Sequence, residues 1–268
     1  MLAELVKAGK LPPVNERLPQ DPAVIKPSSH KAEQGLVWMF PGLVGAWWEL
    51  GPAYRGLRDA GLDKQVRFFQ WAVPAPDFFA HLFGTERNVA QARAVVDEIV
   101  EYRRLYPDEP IDLVGYSAGG YLALVVAEML PPEVRLHNVV LAQPDVSPTY
   151  DLTVALEHVD GKLVNFYSSR EWMLSGLFTT LFGTMDRQYV PSAGKDGFDL
   201  EVAVPDETLR AKVEQVPWTA EMSSVGSPSN HVTVFTYEWN KYFVAPYVVD
   251  PDDLDLGALP WEAAATDE

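Results

Sequence analysis

The sequence predicts an α/β fold in which helices flank a mostly parallel central sheet. Three short apolar segments, residues 35–40, 111–114 and 136–143, have the length and composition of strands that are buried on both faces. Two helical segments accompany them, an amphipathic one over residues 89–100 and an apolar one over residues 118–130. Because strands that alternate with helices are typical of parallel sheets, we predict one α/β domain. The 268 residues are enough to bury a large core.

The composition excludes several classes of protein. Lysine and arginine number 21 against 38 aspartate and glutamate residues, which leaves a net charge of −17. A field of that sign repels phosphate backbones and anionic lipid surfaces, so nucleic acid is not an expected partner. The chain has no cysteine, which excludes disulfides, thiolate metal sites and a cysteine nucleophile. No stretch approaches the about 20 consecutive apolar residues of a transmembrane helix.

The two ends of the chain differ from the domain between them. Residues 1–34 carry five prolines and no sustained apolar period, so we expect an extended arm on the domain surface. The first ten residues lack the apolar core of a secretory signal, which favours a cytoplasmic location; a secreted or periplasmic one stays open if a leader was removed. Residues 249–268 are acidic and proline-marked, and we expect a solvated tail. The folded domain is therefore assigned to residues 35–248.

The first half of this domain begins with the apolar strand of residues 35–40. A glycine-containing loop over residues 41–45 follows, and its backbone N–H groups are able to bind an oxyanion. We then predict a helix over residues 52–60, which ends before Gly61, and a strand over residues 65–73. The amphipathic helix follows these elements, so we expect it on the outside of the sheet.

The second half continues the alternation of strands and connecting segments. Residues 136–143 and 162–168 are predicted strands, and residues 213–222 form a last one. Residues 172–207 are rich in Phe, Leu, Gly and Met without a clear period, which indicates a compact loop or short helices that can form a lid over a pocket. The final segment, residues 232–248, is predicted to be partly helical.

A glycine-flanked serine lies where the strand of residues 111–114 meets the apolar helix. In the pattern Gly115-x-Ser117-x-Gly119 the neighbours of the serine are small, which a sharp strand-to-helix turn requires. The alternative is a glycine-rich packing turn that carries a serine by accident. Strand, turn and buried helix in succession favour the first interpretation, and Ser117 is the candidate nucleophile.

A serine nucleophile needs a base and a third group that orients the base. Of the five histidines, His231 follows the last predicted strand, in a loop that a parallel sheet places beside the serine, and His81 is the alternative. The acid is expected at the end of a strand between serine and histidine in the chain. Glu171 fits this order best, and Asp145 and Asp186 are alternatives.

Together these features resemble the α/β-hydrolase superfamily over about residues 35–248. They are the strand followed by Pro41-Gly42-Leu43, the Gly-Tyr-Ser117-Ala-Gly-Gly turn, a carboxylate after a later strand and a late histidine. The run from Asn165 to Phe198 is similar to uncharacterised bacterial members, including planctomycete proteins, where an aspartate usually stands at the position of Glu171. Phe40-Pro41-Gly42 also departs from the His-Gly of many members.

The resemblance implies acyl transfer by Ser117, with His231 as base, Glu171 as its orienting acid, and the N–H groups of Leu43 and Ala118 as the oxyanion hole. A small-molecule carboxylic ester is the expected substrate and no cofactor or metal is implied; a thioesterase and a non-catalytic binding scaffold are the alternatives. The sequence "LVGYSAGGYLAL" also resembles thioesterases. The expected pocket residues are Tyr116, Phe178 and Phe182, with the apolar side chains of residues 172–207 either roofing the pocket or joining the core.

Overall fold

The structure is a computed structural model, and it describes residues 34–42, 47–70, 85–170, 179–225 and 233–264. Within these residues six strands form one sheet in which every neighbouring pair is parallel, in the order β2-β1-β3-β4-β5-β6. The strands are β1 (Leu36–Phe40), β2 (Gln65–Phe68), β3 (Ile111–Tyr116), β4 (Val139–Ala142), β5 (Leu163–Tyr167) and β6 (Val213–Pro217). The predicted α/β fold with its parallel sheet is confirmed.

Helices connect the strands and cover both faces of the sheet. The α-helices of the described residues are α1 (Gly51–Asp59), α2 (Thr85–Leu105), α3 (Ala118–Glu128), α4 (Thr153–Glu157), α5 (Thr179–Phe182), α6 (Ala193–Asp196), α7 (Leu200–Ala203), α8 (Glu207–Arg210), α9 (Ala220–Ser224), α10 (Tyr237–Trp239), α11 (Ala245–Val248) and α12 (Pro260–Ala264). Two 3₁₀ turns, Trp47–Leu50 and Thr233–Phe235, and a π-helical segment, Asn240–Val244, complete this part of the chain. None of these helices is both long and apolar enough to cross a membrane.

The central strands are apolar along their whole length because both of their faces are covered. Every residue of β1, β3 and β4 is buried, whereas β2 and β6 at the two edges are partly exposed. Side chains alternate between the faces, so Trp38 joins a core with α2 and α3, and the neighbouring Val37 joins a second core with α1 and the C-terminal helices. Continuous burial explains why these strands lack a polar–apolar alternation in the sequence.

The sheet has a switch point between β1 and β3. The chain runs from β1 outward to β2 on one side and then crosses to β3 on the other side of β1. Phe40, at the carboxyl end of β1, pairs with Gly115 near the end of β3. Connections that leave two adjacent parallel strands in opposite directions open a crevice at their carboxyl ends. This topology places the residues that follow Phe40 beside those that follow Tyr116.

The predicted last strand over residues 213–222 is too long. β6 ends at Pro217, and Ala220–Ser224 are helical. The reason is that β5, the only neighbour of β6 in the described sheet, ends at Tyr167, which pairs with Pro217. Beyond that point the strand has no further β5 residue to pair with, apart from a bond from the Trp218 N–H to the Tyr167 carbonyl (2.8 Å).

The described part of the 172–207 segment consists of short helices that pack against the main core. Met185, Ala193 and Phe198 are buried in the same core as α2 and α3. The residues after 248 also lie against the domain, because Leu254 and Leu256 pack on the second core and the Trp261 ring stacks on Phe243 with centroids 5.6 Å apart. Apart from Leu254 and Leu256, residues 250–258 are exposed, so this part of the tail is largely in contact with solvent.

An ion network around the buried Asp112 lies at the amino-terminal edge of the sheet. The Lys64 ammonium lies 2.6 Å from one oxygen of the fully buried Asp112, and the ring of His137 lies 3.0 Å from the other. The Asn138 N–H also donates to Asp112 at 3.0 Å. This hydrogen bonding pairs a carboxylate that would otherwise be costly to bury. A cavity of about 460 Å³, which Lys64 and His137 help to line, opens at this edge.

Candidate active site

Ser117 forms the turn between β3 and α3 in a strained backbone conformation. Its φ of 55° and ψ of −125° lie in a region that residues other than glycine rarely adopt. Its N–H donates to the Ala142 carbonyl at 3.0 Å, and its carbonyl accepts from the N–H groups of Gly120 (2.8 Å) and Asp145 (3.1 Å). Bonds to β4, to the loop after β4 and to α3 therefore hold the turn from three sides.

The flanking glycines are required by the closeness of the surrounding backbone. A Cβ atom on Gly115 would lie 2.6 Å from the Gly119 carbonyl oxygen. A Cβ atom on Gly119 would lie 2.4 Å from the carbonyl oxygens of both Phe40 and Pro41. The second contact shows that α3 begins directly against the loop after β1. The Gly-x-Ser-x-Gly pattern is thus needed to bring the serine and that loop together.

Gly42 lies next to the candidate nucleophile. A Cβ atom on Gly42 would be 3.7 Å from Ser117 Cβ and 3.2 Å from the Phe235 ring. On the other side of the serine, Ala118 is the first residue of α3, so its N–H has no acceptor within the helix. The Ala118 N–H is suited to an oxyanion hole in this position. Leu43, the second expected donor, lies outside the described residues.

Two histidines are excluded as the base by their positions. His158 is buried with its Nδ1 3.0 Å from the Val134 carbonyl. The His137 N–H donates to the carbonyl of Ile111, the first residue of β3. Since Ser117 follows the last residue of this six-residue strand, about 20 Å separates His137 from the nucleophile. His231, the expected base, and the alternative His81 lie outside the described residues.

Of the three candidate acids, the structure brings Asp145 next to Ser117. Its N–H bonds the Ser117 carbonyl, its side chain is buried, and Oδ1 has no hydrogen-bond partner among the described residues. Burial, and secondarily the charge of Asp186, raise the pKa of Asp145 to about 7. Glu171 lies outside the described residues, directly after the Arg170 that places its guanidinium 4.2 Å above the Trp218 ring.

Asp186 anchors its own loop instead of facing the serine as an available acid. One of its oxygens accepts from the Ser147 N–H (2.9 Å) and from the Thr184 hydroxyl (2.5 Å). The other accepts from the Ser147 hydroxyl at 2.5 Å. Both oxygens are therefore engaged within the segment that packs after β4 and β5, which accounts for the residue structurally.

Tyr116 packs in the core and does not line a pocket as expected. Its side chain is fully buried, its hydroxyl donates to Asn240 at 2.5 Å, and its ring stacks on Phe235 at 5.2 Å. Its side chain points into the second core, to the face of the sheet on which α1 and the C-terminal helices pack. Phe178 lies outside the described residues. Phe182 is the last residue of α5, and only its backbone is described.

Glu49 is a residue near this site that the sequence analysis did not single out. It follows the glycine-containing loop, and its carboxylate accepts a hydrogen bond from the Gly42 N–H. Burial raises the pKa of Glu49 to about 7, an effect larger than the opposing influence of that hydrogen bond. The one sequence signal is an acidic residue between Trp48 and Leu50, directly after the glycine-containing loop. In the described residues no cluster of three His, Cys, Asp or Glu side chains is arranged to hold a metal ion.

Comparison with known proteins finds likeness in structure only. No protein-family model matches the chain, and no curated protein matches it in sequence. Lipase B of Aspergillus fumigatus superposes with a TM-score of 0.52 at 13% identity, over 86% of this chain and 58% of the lipase. This chain thus spans less than two thirds of the length of the lipase.

Two further solved structures are similar over most of their own length. A lipase-esterase related protein from Clostridium acetobutylicum has a TM-score of 0.47 at 10% identity, over 81% of this chain and 96% of that one. A carboxylesterase from Mesorhizobium loti has a TM-score of 0.40 at 15% identity, over 77% and 88%. The superposition on the Aspergillus lipase, together with the parallel sheet flanked by helices, shows the fold. This chain has the α/β-hydrolase fold.

Proposed function

We propose that the protein is a serine hydrolase that cleaves carboxylic esters through an acyl-enzyme. The observation that carries this proposal is the strained turn at Ser117, which lies at the switch point of the sheet, next to Gly42 of the loop after β1. A hydroxyl held at the carboxyl edge of a parallel sheet, beside the free N–H of a helix start, is suited to attack a carbonyl group. Acyl transfer uses both features, the serine as nucleophile and the N–H group as oxyanion donor.

In the proposed reaction the Ser117 hydroxyl attacks the ester carbonyl carbon while His231 accepts its proton. The carbonyl oxygen becomes an oxyanion, which the N–H groups of Ala118 and Leu43 stabilise; loss of one such donor costs about 10²-fold or more in rate. The intermediate then expels the alcohol, which receives the proton from His231. Water then gives a proton to His231 and attacks the carbonyl carbon of the acyl-serine. The second intermediate expels the Ser117 oxygen, which takes the proton from His231, and the carboxylic acid leaves.

We assign the orienting acid to Glu171. The residue follows β5 and precedes His231, in the usual chain order, and a carboxylate that supports an imidazolium must be ionised. Asp145 is less suited to this task because burial and the charge of Asp186 raise its pKa to about 7, so that part of the population is protonated at neutral pH. Glu171→Gln should lower the turnover number by about 10⁴-fold, as expected for a lost triad acid, whereas Asp145→Asn should change it much less. The reverse ranking in folded variants would assign the acid to Asp145.

The decisive experiment is fluorophosphonate labelling combined with hydrolysis of 4-nitrophenyl butyrate. The wild type should label at one serine and turn over, and Ser117→Ala and His231→Ala should each lose both properties, because the two residues act as one unit. Folded protein that neither labels with fluorophosphonate nor turns over any ester or thioester would support the binding-scaffold alternative. A preference for S-(4-nitrophenyl) thiobutyrate over the oxygen ester would support a thioesterase.

The pH dependence of turnover tests the histidine. His231 must be neutral to accept a proton, so kcat/KM should rise with pH through the range in which an ordinary histidine deprotonates, about 6 to 7. A profile without that rise would contradict a histidine base.

Phe178 and Phe182 belong to the segment proposed to border the acyl pocket. Replacement of both by alanine should change the preference for acyl-chain length more than the melting temperature. A loss of stability with unchanged chain-length preference would place them in the core.

A further inference from the structure

Glu49 reaches the neighbourhood of Ser117 from the 3₁₀ turn of residues 47–50. Its carboxylate accepts a hydrogen bond from the Gly42 N–H, and its Oε2 atom is buried without a hydrogen-bond partner in the described residues. The position of a Cβ atom on Gly42 lies 3.9 Å from Glu49 Oε2 and 3.7 Å from Ser117 Cβ. Glu49 Oε2 and Ser117 Cβ are therefore less than about 8 Å apart, with Gly42 between them.

We propose that Glu49 is a positioning residue of the active site, which holds the Gly42 peptide in front of Ser117 by accepting its N–H. Gly42 is the second residue after β1, and Leu43, the second expected oxyanion donor, follows it directly in the sequence. This inference rests on the proposed acyl transfer, in which a backbone N–H group of this loop stabilises the developing oxyanion.

The packing of the 3₁₀ turn does not itself require a carboxylate at position 49. Leu50, the next residue, is fully buried in the second core, and α1 continues this anchoring through Ala53 and Leu57. Apolar side chains thus fix the turn to the sheet. Glu49 is partly buried beside them, and one of its carboxylate oxygens has no hydrogen-bond partner among the described residues. This arrangement costs stability, and a role of the carboxyl group in the site explains why it is present.

Burial of the Glu49 carboxyl group favours its uncharged form up to about pH 7. A buried carboxylate oxygen without a donor is costly, and protonation removes its charge. The raised pKa of about 7 has burial as its main cause, and no charged side chain contributes to it. Its neighbours across Gly42, Ser117 and Phe235, are uncharged. Ionised Glu49 would oppose the negative charge of the tetrahedral intermediate; for a half-exposed group at this distance we expect a roughly threefold to tenfold lower rate.

Two substitutions separate the hydrogen bond from the charge. Glu49→Gln keeps an oxygen for the Gly42 N–H but cannot ionise, whereas Glu49→Ala removes both. Glu128→Gln is the matched control, since burial raises the pKa of Glu128 to about 7 as well, but its carboxylate accepts from the Tyr150 hydroxyl (2.8 Å) and it ends α3, away from the serine turn. The measurements are kcat and KM for 4-nitrophenyl butyrate from pH 5.5 to 9, per serine titrated with fluorophosphonate, and the melting temperature.

At pH 6 we expect Glu49→Gln to match the wild type within about twofold, and Glu49→Ala to lose about tenfold in kcat with little change in KM, the effect of one lost hydrogen bond. Above pH 7.5 Glu49→Gln should exceed the wild type severalfold, because it stays neutral. Glu128→Gln should follow the wild-type profile throughout.

An active wild type whose kcat profile is unchanged by Glu49→Ala and Glu49→Gln would overturn this inference and leave the proposed function intact. Equal losses in both variants that follow the melting temperature would also overturn it, since they would indicate a structural role alone. A wild type that neither labels nor hydrolyses any ester or thioester would overturn the proposed function and, with it, the role of Glu49.

Discussion

Replacement of Gly119 by alanine should separate the serine from the loop after β1 while the rest of the domain stays folded. Gly119 lies in the first turn of α3, and a Cβ atom there would be 2.4 Å from the carbonyl oxygens of Phe40 and Pro41. Ordinary van der Waals contact begins at about 3.4 Å, so either α3 or the loop must move by about 1 Å. Both contacts are with backbone atoms, which cannot change rotamer to make room.

Overpacking of this kind typically lowers the free energy of unfolding by about 1 to 3 kcal/mol. The effect on catalysis should be larger, because a displacement of about 1 Å between nucleophile and substrate-binding groups can cost about 10²-fold in rate. Gly119→Ala should therefore remain folded at 25 °C but react with fluorophosphonate at least tenfold more slowly than the wild type.

The assay is the second-order rate of fluorophosphonate labelling, with urea unfolding of the same samples. Gly51→Ala is the matched control, because no atom lies within 4 Å of a Cβ there and the residue begins α1. Alanine at that position should be neutral or stabilise the protein by up to about 1 kcal/mol. If Gly119→Ala labels and unfolds like the wild type, α3 and the loop are not in the close contact on which the site geometry depends.

Three further predictions concern the buried carboxylates of Asp112 and Asp145 and the partners of Asp112. Lys64→Met should destabilise the protein by about 3 to 5 kcal/mol in urea unfolding, because it leaves the Asp112 carboxylate buried without its cation; an Asp112→Asn change in the same background should recover part of the loss. The hydrogen bond to Asp112 raises the pKa of His137, so the stabilisation of the fold by protonated His137 is complete below about pH 6.5 and is lost as pH rises through the higher folded pKa. Between pH 6 and 8 the free energy of unfolding of the wild type should therefore fall more than that of His137→Ala. An equal pH dependence of the two proteins would contradict the pairing. Burial raises the folded pKa of Asp145 from 3.8 to about 7, so the folded state loses stability as pH rises between these values. From pH 4 to pH 8 the free energy of unfolding of Asp145→Asn should therefore increase relative to that of the wild type by up to about 4 kcal/mol. No increase would indicate that a hydrogen-bond donor contacts the Asp145 carboxylate.

The sheet and the serine turn could be predicted from the sequence because both leave local signals. A strand buried on both faces is a short apolar run; β1 and β4 lie within the predicted segments, and β3 extends its segment by two residues to Tyr116. The glycines around Ser117 are local as well, since a sharp turn with close backbone neighbours accepts no larger residue. Strand ends were less predictable, because β6 stops where its partner does and the partner is remote in the sequence.

The immediate surroundings of the serine depended on contacts that no local pattern encodes. Tyr116 is an aromatic residue directly before the serine and is therefore expected in a pocket. Its hydroxyl instead donates a hydrogen bond to Asn240, which is 124 residues away in the chain. Glu49 and Asp145 are ordinary carboxylates in the sequence, and their raised pKa values arise from burial beside the turn. Burial and pairing are properties of the packed chain, because they depend on which elements the sheet order brings together. The sequence determined the fold class and the glycine-flanked turn that carries Ser117; the tertiary structure decided which acidic and aromatic side chains lie around that turn.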